Sequence, residues 1–333
     1  MFNDKSILIT GGTGSFGKRF SAYLTKHYSP KKVIIYSRDE LKQFEMQQHF
    51  NAPCMRYFIG DVRDKERLIS AMRDVDYVVH AAALKQVPAA EYNPNECIKT
   101  NIYGAQNVID AAIDADVSRV IALSTDKAAN PVNLYGATKL ASDKLFVAAN
   151  NISGAKGPRF AVVRYGNVVG SRGSVVPFFH QLLKDGVSKL PVTHEEMTRF
   201  WITLDEGVEF VVQNFQRMQG GEIFVPKIPS VRILDLVESI SGNRDYEVVG
   251  IRPGEKLHEV MVPEEMAHHS LEFQDHYVIT PAIKFFDKTV NYLKNKLGET
   301  GKPVIDKFEY HSGTNPHFLS VQELKTLDKE TLY

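Results

Sequence analysis

Cysteine is nearly absent: the 333 residues hold two, Cys54 and Cys97, far apart in the chain. That excludes a disulfide scaffold and the paired spacing of a zinc site, and makes a reducing compartment the default. Net charge is missing as well, since 40 Lys and Arg balance 40 Asp and Glu. No global field therefore selects nucleic acid, and no basic block offers a membrane tether. Apolar runs all fall short of the roughly 18 residues of a membrane span. The run Ser6-Ile7-Leu8-Ile9-Thr10 is too short for a secretory core. With 22 Gly and 15 Pro, disorder and collagen-like architectures are out. Neither an internal repeat nor a low-complexity tract is evident. A cytoplasmic protein with neither nucleic acid nor membrane as partner is expected.

What is present is an average globular composition, 43% apolar and 24% charged. The length suits one large domain or two modest ones, at roughly 100 to 200 residues each. Apolar, β-branched runs recur at Ile7–Thr10, Val33–Tyr36, Tyr57–Ile59, Tyr77–His80, Val120–Ser124 and Phe160–Arg164, with helix-length amphipathic segments between them. Runs apolar on both faces belong to parallel strands covered by helices. The fold class is therefore α/β, a Rossmann-type doubly wound parallel sheet with a smaller C-terminal substrate-binding lobe. After Gly166 the rhythm breaks: an apolar stretch Val175–Leu183, a loop Gly186–Glu196, helices at Leu204–Arg217 and Ile233–Ser241, and strands at Glu222–Val225 and Tyr246–Val249 are expected. Provisional boundaries are a dinucleotide-binding domain over 1–170 with a returning segment near 198–226, a lobe over 171–281, and an extension over 282–333.

Directly after the first strand stands Gly11-Gly12-Thr13-Gly14-Ser15-Phe16-Gly17, opening a helix. Glycines allow close approach to a pyrophosphate, and the free N–H groups of a helix start supply donors. The same spacing also serves a tight turn with no ligand; the strand before and helix after favour the dinucleotide. At the second strand's end the chain reads Tyr36-Ser37-Arg38. A hydroxyl and a guanidinium suit a 2′-phosphate, hence NADP, whereas Asp39 close by keeps NAD open. After the third strand, Asp61 can meet an adenine amino group or cap a helix. The remaining cofactor surface is assigned to Lys42, Val62, Ala81, Ala82, Lys85 and Thr100.

Tyr135 and Lys139 stand at i,i+4, on one face if a helix has begun by Tyr135. A nearby cation pulls a phenol down toward the range of a useful general base. The polar run Ser124-Thr125-Asp126-Lys127 ends the fifth strand, where such sheets bind ligands. Taken alone, Asp126-Lys127 has a surface salt bridge or a helix cap as its less favoured reading. Arg199 and Arg252 near a lobe boundary suit a pyrophosphate, or interdomain ion pairing. His268-His269 has no accompanying ligand set and adjacent side chains on a helix do not converge, so no metal is expected.

These motifs together resemble the extended short-chain dehydrogenase/reductase superfamily. Ser124-Thr125-Asp126 is similar to the Thr-Asp-Glu element of nucleotide-sugar 4,6-dehydratases, with Lys127 in place of glutamate. That substitution, the retained Tyr135, and the runs Ala83-Leu84-Lys85-Gln86-Val87-Pro88, Arg164-Tyr165-Gly166-Asn167-Val168, Ser171-Arg172-Gly173-Ser174 and Met197-Thr198-Arg199-Phe200 resemble the inverting UDP-N-acetylglucosamine 4,6-dehydratases, over residues 3 to 281. The resemblance implies UDP-N-acetylglucosamine as substrate, with Lys85, Asn167, Val175, Thr193, Met197, Arg199, Arg252 and Glu255 around it. Catalysis would run through Thr125, Asp126, Lys127, Tyr135 and Lys139. Tyr135 would take the C4 hydroxyl proton. Lys127, kept neutral by desolvation and by Lys139, would take the C5 proton, and a protonated Asp126 would release the C6 hydroxyl. A flagellar or surface glycan pathway, that of pseudaminic acid, and a homo-oligomer, dimer or hexamer, are further expectations. A UDP-hexose 4-epimerase and a silent NADP-sensing protein are the alternatives.

Overall fold

The computed structural model describes residues 1–171, 173–283 and 290–331. Arg172 of the Ser171–Ser174 motif and residues 284–289 of the expected extension lie outside them. The first half alternates strand and helix: β1 (Ser6–Thr10), α1 (Ser15–His27), β2 (Lys32–Ser37), α2 (Glu40–His49), β3 (Met55–Ile59), α3 (Lys65–Ala71), β4 (Tyr77–His80), α4 (Val87–Tyr92), α5 (Pro94–Ile98), α6 (Gly104–Asp114), β5 (Arg119–Thr125), α7 (Leu134–Ser153) and β6 (Arg159–Tyr165). The second half adds β7 (Asn167–Val168), α8 (Val175–Lys184), β8 (Leu190–Val192), β9 (Thr198–Ile202), α9 (Leu204–Arg217), β10 (Ile223–Pro226), β11 (Ser230–Arg232), α10 (Ile233–Ser241), β12 (Tyr246–Val248), β13 (Val260–Val262), β14 (Ser270–Glu272), β15 (His276–Ile279), β16 (Lys302–Pro303), β17 (Tyr310–His311) and α11 (Val321–Thr331).

One ten-stranded sheet, ordered β16-β14-β15-β10-β6-β5-β4-β1-β2-β3, forms the body. From β3 to β10 every neighbour is parallel. β15, β14 and β16 continue it antiparallel. All five residues of β1 are buried, as a parallel strand covered on both faces requires. Chain order reverses between β1 and β4, the switch point where doubly wound sheets bind ligands. There Thr10 Oγ1 and His80 Nδ1 lie 2.8 Å apart. Burial, aided by Lys139, pushes His80 down to about 3, so its ring is neutral.

A second core gathers Val176, Phe179, Leu190, Trp201, Val237 and Leu324 under α8, α10 and α11. β7, β9 and β11 make a small sheet beside it. Residues 270–279, in the stretch assigned by sequence to the lobe, instead extend the large sheet: β15 pairs with β10, and β14 with β15. The 282–333 segment is built into both parts: β16 pairs with β14, β17 with β13, and α11 packs on α10. These pairings join residues distant in the chain, which is why no local periodicity announced them.

Candidate active site

A cleft of about 1210 Å³ runs along the C-terminal ends of β1, β2, β4 and β5 and under the lobe, and every site residue named from sequence lines it. At one end lies the glycine loop. Gly11 turns with φ +65°, and a Cβ there would meet the Ala82 backbone at 2.9 Å. Any side chain at Gly17 would strike the Gly12 carbonyl. The loop is thus drawn tight against the β4 end while α1 begins at Ser15 with no side-chain cap, its first N–H groups left for other partners. Thr13 Oγ1 and Ser37 Oγ meet at 3.0 Å across the loop.

Beyond β2, Asp39 is committed elsewhere: its Oδ1 accepts from the Lys42 amide at 3.0 Å as the cap of α2, and its Oδ2 pairs with the Lys42 ammonium. Arg38 extends along the cleft, half exposed, its Nη1 at 3.8 Å from Asp61 Oδ2. The helix-cap reading of Asp61 is corrected by the structure, because Asp64 caps α3 and Asp61 binds the amide and guanidinium of Arg63. Burial raises Asp61, yet Arg63 and Arg38 hold it below the usual carboxylate range.

At the centre, α7 starts at Leu134, so Tyr135 and Lys139 do share one face. Asn133 caps it, Oδ1 accepting from the Gly136 amide at 2.7 Å. Lys139 is buried with its Nζ donating to the Leu123 carbonyl at 2.8 Å. Burial lowers it, against Asp143. The expectation that Lys139 depresses the Tyr135 phenol is not met: burial pushes Tyr135 up to about 12, and the opposing influences are Lys127 and the Thr125 hydroxyl. Lys139 spends its charge near Asp143 instead. Beneath it, Asp143 Oδ2 accepts from Ser124 Oγ at 2.8 Å and pairs with Arg164 at 3.0 Å, a buried network that holds β5, α7 and β6 in register.

Asp126 is 1% exposed, which removes the surface salt-bridge reading, and the cap of its short 3-10 turn is Thr125, not Asp126. Thr125 Oγ1 also donates to Asp126 Oδ1 at 2.9 Å. Lys127 Nζ lies 3.1 Å from Asp126 Oδ1 and 3.1 Å from Glu259 Oε1. A lysine kept neutral by desolvation is therefore not what the fold presents. Burial does pull Lys127 down, but the two carboxylates outweigh it and hold the ammonium above its ordinary range.

On the lobe side, Arg199 is buried, its Nη1 donating to the Thr198 and Leu257 carbonyls at 2.7 and 3.1 Å. Arg252 is open to the cleft, 60% exposed, with Glu255 at 3.8 Å. Thr193 Oγ1 donates to Met197 Sδ at 3.0 Å. Lys85 is exposed at the cleft, and desolvation by its surroundings lowers it below its ordinary range. Several buried polar atoms along the cleft have no hydrogen-bond partner: Thr100 Oγ1, Asp126 Oδ2, Asn167 Oδ1, Ser174 Oγ, Glu255 Oε2 and Glu259 Oε2. Their concentration marks a surface built for a polar ligand, since buried polar atoms are ordinarily paired.

Sequence reasoning missed Asn133, Lys256 and Glu259. Asn133 was findable as an N-cap residue one position before a helix. Lys256, which donates to the Ala129 carbonyl at 2.6 Å, and Glu259 meet the 126–129 turn only through the fold. His268 and His269 lie in a 3-10 turn where their rings come within 4.1 Å, so adjacency did not keep them apart; among the described residues no third ligand joins them. No helix of the described residues is long and apolar enough to cross a membrane.

The polysaccharide biosynthesis protein family matches residues 7–281. A Campylobacter jejuni (serotype O:2) protein named UDP-N-acetylglucosamine 4,6-dehydratase (inverting) is 63% identical over 331 residues, 99% of both chains. A Rickettsia massiliae protein named UDP-glucose 4-epimerase is 39% identical over 334 residues, 98% of this chain and 96% of its own. The crystal structure of Pen from Bacillus thuringiensis is 36% identical, with a TM-score of 0.88 over 100% of this chain and 99% of that one.

Proposed function

We propose, from the premise that the chain belongs to the polysaccharide biosynthesis protein family and to the dehydratase branch of the short-chain dehydrogenase/reductase fold, that it is an enzyme performing 4,6-dehydration of UDP-N-acetylglucosamine with inversion at C5. The observation that carries this reading is the ion pair of buried Asp126 with the partly exposed Lys127, facing the same cleft as Tyr135 and Lys139. An epimerase needs only the last two, because rotating a keto sugar involves no elimination.

The glycine loop, with the two cradles that a Cβ would fill, and the orphaned Thr100 hydroxyl fit a nicotinamide dinucleotide. Bound there, it supplies the electron acceptor for C4 oxidation and the donor for C6 reduction. Arg38, with Ser37 and Lys42, supports NADP over NAD: the acidic side chain that NAD would need, Asp39, is spent on capping α2.

In this reading Tyr135 takes the C4 hydroxyl proton as its phenolate, the form that Lys127 and the Thr125 hydroxyl favour against burial, with Lys139 on the same face of α7. The pair at the β5 end then eliminates water. As folded it is an ammonium and a carboxylate 3.1 Å apart, one proton hop from an amine and a carboxylic acid. The Lys127 amine takes the C5 proton and the Asp126 acid gives its proton to the departing C6 hydroxyl, which returns the pair to its starting charges. Arg252, exposed beside Glu255, and the buried Arg199 flank the place of the diphosphate, and Asn167, Val175, Thr193 and Met197 the sugar and uridine. A cytoplasmic location is supported by the scarcity of cysteine, while a place in pseudaminic acid formation and flagellin glycosylation, and a homo-oligomer, are supported by family resemblance.

Incubation of the protein with UDP-N-acetylglucosamine, followed by NMR, tests the reading. The expected product is UDP-2-acetamido-2,6-dideoxy-beta-L-arabino-hex-4-ulose, with no net consumption of cofactor. A C4 epimer as sole product would make it an epimerase, and absence of turnover with cofactor bound would make it a sensing protein.

A further inference from the structure

Glu259 lies in the residues between the Arg252–Lys256 turn and β13, over a hundred positions from Lys127, and no motif singles it out. It is 2% exposed. Its Oε1 is as close to Lys127 Nζ, 3.1 Å, as Asp126 is, and lies 3.9 Å from Arg199 Nε. Its Oε2 has no hydrogen-bond partner and one cation, Lys256, at 3.8 Å. A carboxylate held this deep costs several kcal/mol of desolvation, so its pairing with Lys127 is a specific arrangement.

The backbone of Glu259 is fastened from the C-terminal extension. Its amide donates to Ser312 Oγ at 2.9 Å, and the Ser312 amide donates back to the Glu259 carbonyl at 2.8 Å. Ser312 is fully buried and its hydroxyl also meets Thr198 Oγ1 at 2.7 Å, which in turn meets His258 Nδ1 at 2.8 Å. Residues 310–312 thus set the position of a carboxylate that reaches the turn carrying Lys127.

We propose that Glu259 is a positioning residue for Lys127, holding its nitrogen between two carboxylates while the proton passes to Asp126, and that Ser312 of the C-terminal extension fixes Glu259 for this task. The proposal rests on the reading above of Lys127 as the group acting at C5. During elimination Asp126 gains a proton from Lys127 and loses it to the C6 oxygen, while Lys127 gains one from C5. Glu259 keeps its charge throughout, and so remains the fixed anchor when Asp126 is neutral. The charged and titratable groups facing Lys127 are Asp126 from the β5 end, Glu259, Lys256 from the Arg252–Lys256 turn, Arg199 from β9 and Tyr135 from α7.

The experiment is the rate of deuterium entry at C5 of UDP-N-acetylglucosamine in D₂O, measured against pH with the cofactor-loaded enzyme. Glu259→Gln should keep cofactor affinity and C4 oxidation but slow C5 exchange by up to about 100-fold. It should also move the alkaline limb of the exchange profile down by about 1 to 3 pH units, because one of the two anions that hold the Lys127 proton is gone. Glu259→Asp, which keeps the charge, should restore the limb at a reduced kcat. Ser312→Ala should lower kcat with KM unchanged. An unshifted limb in a folded Glu259→Gln protein overturns the proposal. Should that variant fail to fold, a displaced limb in Glu259→Asp together with normal kcat in Ser312→Ala overturns it equally. No C5 exchange in the unaltered enzyme would instead sink the reaction reading, and this inference with it.

Discussion

Asn133 and Gly254 are joined by a 2.7 Å hydrogen bond from the asparagine Nδ2 to the glycine carbonyl, while the same asparagine's Oδ1 caps the helix that carries Tyr135. One side chain therefore ties the turn bearing Arg252 and Glu255 to the start of α7. Lys256 adds a second tie, to Ala129, and Glu259 a third, to Lys127. A shift of that turn on ligand binding would be felt at the catalytic groups.

Asn133→Ala should cost about 1 kcal/mol of stability from the lost cap. It should also lower kcat more than it weakens cofactor binding, since the glycine loop is untouched. Thermal unfolding read beside kinetics checks this; a loss of stability with normal kcat would confine Asn133 to capping.

Arg38→Ala is expected to weaken NADP far more than NAD, because the partner removed is that of the 2′-phosphate. Titration of both cofactors decides it. Equal losses would leave Arg38 as the surface partner of Asp61.

Removal of Lys127 should separate the two halves of the reaction. Lys127→Ala should still oxidise C4 through Tyr135, more slowly because the cation that favours its phenolate is gone, yet stop before elimination, so that reduced cofactor builds up within a single turnover. Tyr135→Phe should instead lose about 10² to 10⁴ in rate at the first step, with no reduced cofactor seen. Rapid-mixing absorbance distinguishes them, and identical traces for the two variants would contradict the division of labour.

Glu222, away from the cleft at the entry to β10, gives a pH signature of its own. Burial lifts its carboxyl to about 7, against hydrogen bonds from the Gln219 and Gly220 amides. A folded value above the unfolded one means that the fold favours the protonated form. That contribution is complete below about pH 4 and fades as pH rises through the folded value. Glu222→Gln should therefore gain stability relative to the unaltered chain between about pH 5 and pH 8, by up to about 3 kcal/mol. Urea unfolding at both pH values measures it; parallel losses would show a carboxylate already ionised in the fold.

Much of the fold could be read directly because its signals are local. Both-face burial of Ile7-Leu8-Ile9 marks β1, and the glycine spacing before Phe20 and Leu24 marks a loop entering a helix. The helices Leu204–Arg217 and Ile233–Ser241 match their expected limits, the first because Thr203 and Glu206 form a capping box and the second because Gly242 ends it with φ +81°. The C-terminal segment was opaque: β16, β17 and α11 are held by β14, β13 and α10, and strands of two residues carry no periodicity.

Residue identity alone determined that the glycine loop, the Ser124–Lys127 run and the Tyr135–Lys139 pair meet in one cleft, because motifs at the ends of parallel strands are brought together by the topology that the strand pattern already implies. The charge state of those groups was decided only by the tertiary structure. Sequence suggested a phenol lowered by Lys139 and a lysine neutralised by burial; the fold raises both, through the desolvation of Tyr135 and the second carboxylate at Lys127. Electrostatic energies depend on distance and on exclusion of water, and Glu259 reaches Lys127 through a backbone fastened by Ser312, a relation that no spacing along the chain expresses.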